Sequence, residues 1–259
     1  MERKIVVVAP TLGPQRSEDR KSATAKKVIV VAPTYNEEAN IGSFVASVLA
    51  QNVEVLISDS HSADGTAVIV KQMAQKDKRV HYLDVKERGL GLGLIKGLDY
   101  AVKKLKADVI ITMEADLSND PRQIPDFISK MAKADVVIGS RYVRGGKITN
   151  WSWWRKAFSY GANIILRLLA RTTRTHEFTN LYRAFTKEVW LDLRPKINMH
   201  LGWLFVPAFA FECLGSNFKI TEQAIIYFDR FGGKSKMKTL SYTINLLHYA
   251  LRYRLKKYV

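Results

Sequence analysis

A single cysteine, Cys213, stands in a chain of 259 residues. One thiol cannot close an internal disulfide, and there is no cysteine cluster to bind a metal, so a reducing compartment is expected. Long apolar runs are also missing. The longest, Trp203 to Phe211, has nine residues, whereas a membrane-spanning helix needs roughly 20, so no transmembrane helix is expected. The apolar stretch Ile5 to Pro10 is too short for a signal peptide and is not followed by a small-residue cleavage pattern, so secretion is not expected either. His61, His81, His176, His200 and His248 have no zinc-site spacing. Gly89, Gly91, Gly93 and Gly97 miss the dinucleotide spacing Gly-x-Gly-x-x-Gly and do not directly follow a strand, which argues against a Rossmann cofactor site.

Acidic residues are scarce: 24 Asp and Glu face 41 Lys and Arg, a net charge of +17. An excess of this size favours a polyanionic partner. Residues 1–27 and 229–259 together supply 11 of the 17 charges. A basic excess gathered at the ends reads as attachment to a membrane surface rather than as a groove for nucleic acid, which is not an expected partner. Hydrophobic residues make up 47% of the chain, ample for the core of an α/β domain.

Short β-branched runs occur at Val28 to Ala32, Val53 to Ile57, Val80 to Leu83, Val109 to Thr112 and Val136 to Ile138. Helical periodicity fills the gaps, at about Glu38 to Ala50, Thr66 to Gln75, Leu92 to Leu105 and Gln123 to Met131. This alternation predicts an α/β fold with a mostly parallel sheet flanked by helices, and ligands at the C-terminal strand ends. The polar signals fall there: Asn36 and Glu37 after the first run, Asp59 after the second, Glu114 and Asp116 after the fourth, and Arg141 after the fifth. Further on, a helix is expected from about Trp154 to Arg171 and a strand pair around Phe218 to Phe228.

Three regions follow: a mobile extension over residues 1–26, a catalytic domain over 27–238 and a basic amphipathic helix over 239–259. In that helix Leu240, Ile244, Leu247, Leu251 and Leu255 share one stripe. The stripe suits either packing on the domain or lying in a membrane interface. Trp151, Trp153 and Trp154 carry the same pair of readings.

The segment Met113-Glu114-Ala115-Asp116-Leu117-Ser118 sets two carboxylates one residue apart just beyond an apolar strand, with the Ser118 hydroxyl two residues further on. Oxygen ligands of this kind suit a hard cation, Mg²⁺ or Mn²⁺, which also binds diphosphate oxygens and neutralises a departing diphosphate. Arg155 and Ser159 are spaced i, i+4 and share a helical face; with Arg141 from a nearby strand end they form a candidate phosphate cradle.

These segments resemble the polyprenyl-phosphate (dolichol-phosphate) mannose synthases, glycosyltransferases of family 2 with a GT-A fold, over about Val28 to Met237. The resemblance is carried by Pro33-Thr34-Tyr35-Asn36-Glu37-Glu38-Ala39-Asn40-Ile41, by Ile57-Ser58-Asp59-Ser60 with Ala63-Asp64-Gly65-Thr66, by Gly89-Leu90-Gly91 and by Glu114-Ala115-Asp116. The most specific part is Gly139-Ser140-Arg141-Tyr142-Val143 with Gly145-Gly146, Asn150-Trp151, Arg155, Ser159 and Asn163, followed by Phe228-Asp229-Arg230 with Gly233, Ser235 and Lys236. Ser60, Glu114, Ala208 and the segment Glu177 to Arg183 depart from the family pattern, and Leu181, in place of a glycine, is expected to reshape the acceptor pocket.

The resemblance implies inverting transfer of mannose from GDP-mannose to a polyprenyl (dolichyl) phosphate. The implied donor site comprises Pro33, Tyr35, Glu37, Ile57, Asp59, Glu114, Ala115, Asp116, Arg141, Arg230 and Lys236. Glu114, Asp116 and Ser118 would hold the metal, and Arg141, Arg155 and Ser159 the acceptor phosphate. Asp116 and Arg141 are the expected catalytic residues. A lipid phosphate is already anionic, so orientation and charge compensation suffice without a general base. The expected setting is the cytoplasmic face of a membrane, held peripherally and with room for a membrane-anchoring subunit. A UDP-sugar donor or another acceptor, and a non-catalytic membrane-surface binding protein, are the alternatives.

Overall fold

The structure, a computed structural model, describes residues 26–229 and 239–256. Residues 1–25 of the expected extension, and Arg230 and Lys236, lie outside the described residues. The first half alternates strictly: β1 (Val28–Thr34), α1 (Glu38–Leu49), β2 (Glu54–Asp59), α2 (Thr66–Lys76), β3 (Val80–Asp84), α3 (Leu90–Lys103), β4 (Val109–Thr112), α4 (Ile124–Lys130) and β5 (Val136–Ser140). The second half runs through β6 (Lys147–Ile148), α5 (Trp153–Ala170), β7 (Arg183–Thr186), α6 (Lys187–Leu193), α7 (Phe205–Gly215), β8 (Ile220–Ala224), β9 (Ile226–Tyr227) and α8 (Thr239–Lys256).

Seven strands form one sheet in the order β3-β2-β1-β4-β7-β5-β8. All are parallel except β7, which runs antiparallel between β4 and β5. The strands are apolar on both faces because both are covered, the pattern a parallel sheet needs. Val30, Ala32, Val55, Ile57 and Ile111 join the core beneath α1 and α2. Their neighbours Ile29, Val31, Leu56 and Ile110 join the core formed with α3, α6 and α7. Cys213 is a buried member of that second core, and burial pushes its thiol pKa up to about 12.

The glycines of α3 have a packing role. A Cβ at Gly97 would sit 2.8 Å from Val31 Cγ1 and 3.0 Å from Ser58 Cβ, and one at Gly91 would sit 2.8 Å from the Gly202 carbonyl. The helix lies this close to the sheet only because those positions carry no side chain, which offsets the roughly 1 kcal/mol that each glycine costs a helix.

One expectation changes. The strands near the end of the sheet form, but they do not pair with each other: β8 joins β5, and β9 makes a short parallel pair with β6. One residue, Ile225, separates them, too few for the chain to turn back, so it runs on in one direction and changes partner. Leu181 is buried, and its side chain joins the α3, α6 and α7 core.

The C-terminal helix packs by a face other than its leucine stripe. Leu246 and Ala250 are buried, and Tyr242, Tyr249 and Tyr253 pack with them against α5 and α7. The Tyr253 hydroxyl donates to the Phe211 carbonyl at 2.6 Å, so a ring that reads as polar in the sequence is satisfied as a core residue. Ile244, Leu251 and Leu255 of the stripe remain 59%, 49% and 65% exposed. On α5, Trp153, Trp154, Phe158 and Leu168 are also exposed.

Candidate active site

The C-terminal ends of β1 and β2 are tied together by Asp59. Its fully buried carboxylate accepts from Thr34 Oγ1 at 3.2 Å, from the Ser62 amide at 3.1 Å and from the Tyr82 hydroxyl at 3.2 Å. Asn36, in the left-handed region at φ 53°, donates its amide to Ser62 Oγ, and its side-chain carbonyl accepts from Ala63 N. The Glu37 amide donates to Thr66 Oγ1. The loops after β1 and β2 therefore form one unit. Pro33 and Ile57 are buried in its base, and Tyr35 and Glu37 reach its surface, with the Arg88 guanidinium 5.1 Å from the Tyr35 ring centroid.

Beyond β4 the chain makes a tight turn with Leu117 at φ 60°, a strained conformation for a branched side chain that recurs at functional sites. The turn brings Glu114 and Asp116 together. Desolvation, then the Asp116 charge, pushes the Glu114 pKa up to about 7. Asn119 Nδ2 donates to Glu114 at 2.8 Å, and the Ser118 amide donates to Asp116 at 3.0 Å. Ala115 and Ser118 are buried in the same turn. Two convergent carboxylates on one rigid strand end suit a hard divalent cation. Among the described residues no group of three or more His, Cys, Asp and Glu side chains is placed to hold a metal, so water or substrate oxygens would complete the shell of an ion held by these two.

Arg141, at the end of β5, is buried. Its Nε and Nη2 donate to the two Glu177 oxygens, both at 2.8 Å, and Nη2 also donates to Thr179 Oγ1 at 2.7 Å. Glu177 is fully buried and also accepts from the amides of Thr179 and Asn180. Burial alone would raise its pKa, but Arg141 outweighs burial and holds it below the usual range. Arg141 lies 5.3 Å from the Tyr227 ring centroid and 5.8 Å from that of Trp151. Arg155 stacks on Trp151 at 3.7 Å and pairs with Asp229 at 3.3 Å. Ser159 accepts from the Tyr142 hydroxyl at 2.7 Å.

Trp151 thus sits between the two arginines, and the Tyr142 to Ser159 bond joins β5 to α5, which brings Arg141, Arg155 and Ser159 into one neighbourhood. Tyr227 links this group to the carboxylates: burial, then the charges of Glu114 and Asp116, push its pKa up to about 12. Tyr227, Asp229 and Thr179 were not among the predicted site residues. Asp229 lies in the Phe228-Asp229-Arg230 segment that carries the resemblance, and Tyr227 directly precedes it.

The glycosyl transferase family 2 profile matches residues 29–191. The chain is 32% identical over 217 residues to the polyprenol monophosphomannose synthase of Mycolicibacterium smegmatis, covering 82% of this chain and 81% of that protein. It is 30% identical over 214 residues to the undecaprenyl-phosphate mannosyltransferase of Micrococcus luteus, covering 82% and 87%. The dolichol-phosphate mannosyltransferase of Pyrococcus furiosus matches at 30% over 240 residues, but the alignment spans 64% of that longer protein. Among solved structures, glucosyl-3-phosphoglycerate synthase from Mycobacterium tuberculosis, in complex with Mn²⁺, uridine diphosphate and phosphoglyceric acid, superimposes with a TM-score of 0.67 at 14% identity, covering 89% of this chain and 79% of that one. That likeness places the sheet and its antiparallel strand in the GT-A fold, and the sequence matches show that the chain belongs to glycosyl transferase family 2, alongside the polyprenyl-phosphate mannose synthases.

Proposed function

We propose that the protein transfers mannose from GDP-mannose to a polyprenyl phosphate with inversion at the anomeric carbon. The observation that carries this reading is the meeting, at one sheet edge, of the Glu114 and Asp116 pair with the Arg141, Trp151, Arg155 and Ser159 group. The loops after β1 and β2 bind the nucleoside, with Tyr35, Glu37 and the Asp59-ordered turn at its edge. Glu114 and Asp116, with Ser118 beside them, would hold a divalent cation, Mg²⁺ or Mn²⁺, which would neutralise the charge of the diphosphate. The Mn²⁺ of the Mycobacterium tuberculosis synthase complex supports a divalent ion here.

Arg141 and Arg155 orient the acceptor phosphate and offset its charge as one of its oxygens forms the new bond to the anomeric carbon. The bond to the nucleoside diphosphate breaks on the opposite face, and the diphosphate leaves with the electron pair. No proton needs to be removed, so this chemistry requires no histidine–carboxylate dyad. Arg230 and Lys236 screen the donor diphosphate.

The acceptor's lipid sets the location. Trp153 and Trp154 on α5 are 80% and 61% exposed, and Ile244, Leu251 and Leu255 on α8 face outward. Indole rings and aliphatic side chains on a basic helix pair favour the interface of an anionic bilayer. No helix among the described residues is long and apolar enough to cross a membrane. The protein docks peripherally on the cytoplasmic face, and a membrane-anchoring subunit would use the same surface.

Labelled mannose supplied as GDP-mannose with Mn²⁺ should appear in a lipid-linked product, and UDP-sugars should not compete. Metal-dependent binding of a uridine nucleotide in preference to GDP would overturn the donor assignment. Vesicle flotation independent of anionic lipid would overturn the docking.

A further inference from the structure

Two buried asparagines link the carboxylate pair after β4 to the ion pair of Arg141 and Glu177. Asn119 Nδ2 donates to Glu114 at 2.8 Å, and Asn119 Oδ1 accepts from Asn180 Nδ2 at 3.4 Å. Asn180 Oδ1 accepts from the Tyr182 amide at 2.8 Å, and the Asn180 amide donates to Glu177 at 3.2 Å. Glu177 in turn takes two bonds from Arg141. The row Glu114, Asn119, Asn180, Glu177 and Arg141 is thus continuous, although Asn119 and Asn180 are 61 positions apart in the chain.

Each amide is oriented by a partner that can play only one role. A backbone N–H only donates, so Asn180 turns its oxygen to Tyr182 and its nitrogen to Asn119. A carboxylate that binds a cation only accepts, so Asn119 turns its nitrogen to Glu114 and its oxygen to Asn180. The two requirements agree. Flipping either amide would set like groups against each other at both of its ends. Burial removes water as a substitute partner, so one broken bond leaves polar groups unpaired along the row. Asn119 also acts from a fixed base: its backbone bridges to Tyr227 of β9, and the Ser118 carbonyl accepts from the Phe228 amide.

We propose that Asn119 and Asn180 are positioning residues that tie the donor side of the site to the acceptor side. They hold Glu114 in the orientation that meets a cation and, through the turn after Glu177, hold Arg141 in the orientation that meets the acceptor phosphate. The inference rests on the assignment of Glu114 to the metal and Arg141 to the acceptor. It goes beyond that assignment by making the two sides one mechanical unit, so that a defect made on one is read on the other.

The test reads each variant on the side opposite to the change. Asn180→Ser keeps a hydroxyl that can accept from the Tyr182 amide in the same local turn, but it is too short for a bond that already spans 3.4 Å with the longer side chain. The Mn²⁺ concentration that half-saturates GDP binding, measured by calorimetry on the full chain, should rise about threefold to tenfold in this variant, the scale of one lost hydrogen bond. Asn119→Ala should raise it by about tenfold or more, the range for a lost partner of a metal-ligating carboxylate, and should weaken binding of farnesyl phosphate, a short acceptor, by about threefold. The double variant should be no worse than Asn119→Ala alone, because the second change removes a bond already lost. A role in packing alone would lower the unfolding temperature and leave both affinities of the folded protein within about twofold of native, which would overturn the proposal. If GDP binding by the native chain is indifferent to Mn²⁺ yet Asn119→Ala weakens farnesyl phosphate binding, the tie stands and the metal assignment fails. If native GDP binding needs Mn²⁺ and neither variant acts across to the other side, the tie alone fails.

Discussion

The two edges of the proposed site, one assigned to the donor and one to the acceptor, are built differently. The donor edge grows from consecutive strand ends: Thr34 and Asp59 meet in register on β1 and β2, and the Glu114 to Ser118 turn follows β4 directly. Each contribution is a short local segment that a parallel sheet delivers to the same place. The acceptor edge is collected from Arg141 on β5, Trp151 before α5, Glu177 before β7 and Tyr227 on β9. A site on neighbouring strand ends is ordered by the sheet itself, while a site gathered from distant segments needs side-chain networks to hold it. The buried Arg141 and Glu177 pair is the centre of that network.

Four changes would break or sharpen this contrast. The largest effect should come from Asp116→Ala on the donor edge: mannose transfer should fall about 10²- to 10³-fold or more, the usual scale for removing a group that offsets transition-state charge. Metal-dependent GDP binding should fall with it while farnesyl phosphate binding persists. A variant that kept full transfer would sever the carboxylates from the chemistry.

On the acceptor edge, Glu177→Gln should destabilise the fold by about 3–5 kcal/mol, because it strands a buried guanidinium; urea unfolding measures this. The pH dependence carries the same signature. The folded pKa of Glu177 lies below its ordinary 4.5, so its stabilisation is complete above that pH and is lost as pH falls through the depressed folded value. The native protein should lose stability below about pH 4.5 more steeply than the Gln variant. Parallel pH curves would show that the pair does not hold the acceptor edge together.

Gly97→Ala tests the scaffold beneath the donor edge. The added methyl meets Val31 and Ser58 and should destabilise by about 1–3 kcal/mol, the range for overpacking. A neutral outcome would mean that α3 shifts freely against the sheet. The smallest effect is expected at the membrane face, where Trp153→Ala with Trp154→Ala should weaken binding to anionic vesicles by about tenfold, with nucleotide binding unaltered.

Most of the donor edge was legible in the sequence. The five parallel strands and four helices of the first half formed near their expected bounds, since continuous β-branched runs alternating with helical periodicity leave few other arrangements. The residues of the acceptor edge were legible by their resemblance, but their partners were not. Nothing in local pattern says that Arg155 turns to Asp229, 74 positions further along the chain, or that Arg141 and Arg155 both approach the Trp151 ring. The C-terminal helix shows the same limit. Its leucines form a regular stripe, yet it buries Leu246 and Ala250 with three tyrosines, because the complementary surface on α5 and α7 selects the face.

By itself the sequence determined the α/β alternation, the sheet edge where polar groups gather, the family, and the carboxylate pair that follows β4. Those depend on periodicity and on short motifs, which neighbouring residues specify. Only the tertiary structure decided that β7 enters antiparallel, that β8 and β9 part company, that Glu177 is spent on Arg141, and that Ile244, Leu251 and Leu255 of α8 face outward. Each of those is a choice between surfaces, settled by which partner can bury the most apolar area and satisfy the most hydrogen bonds once all the elements are in place.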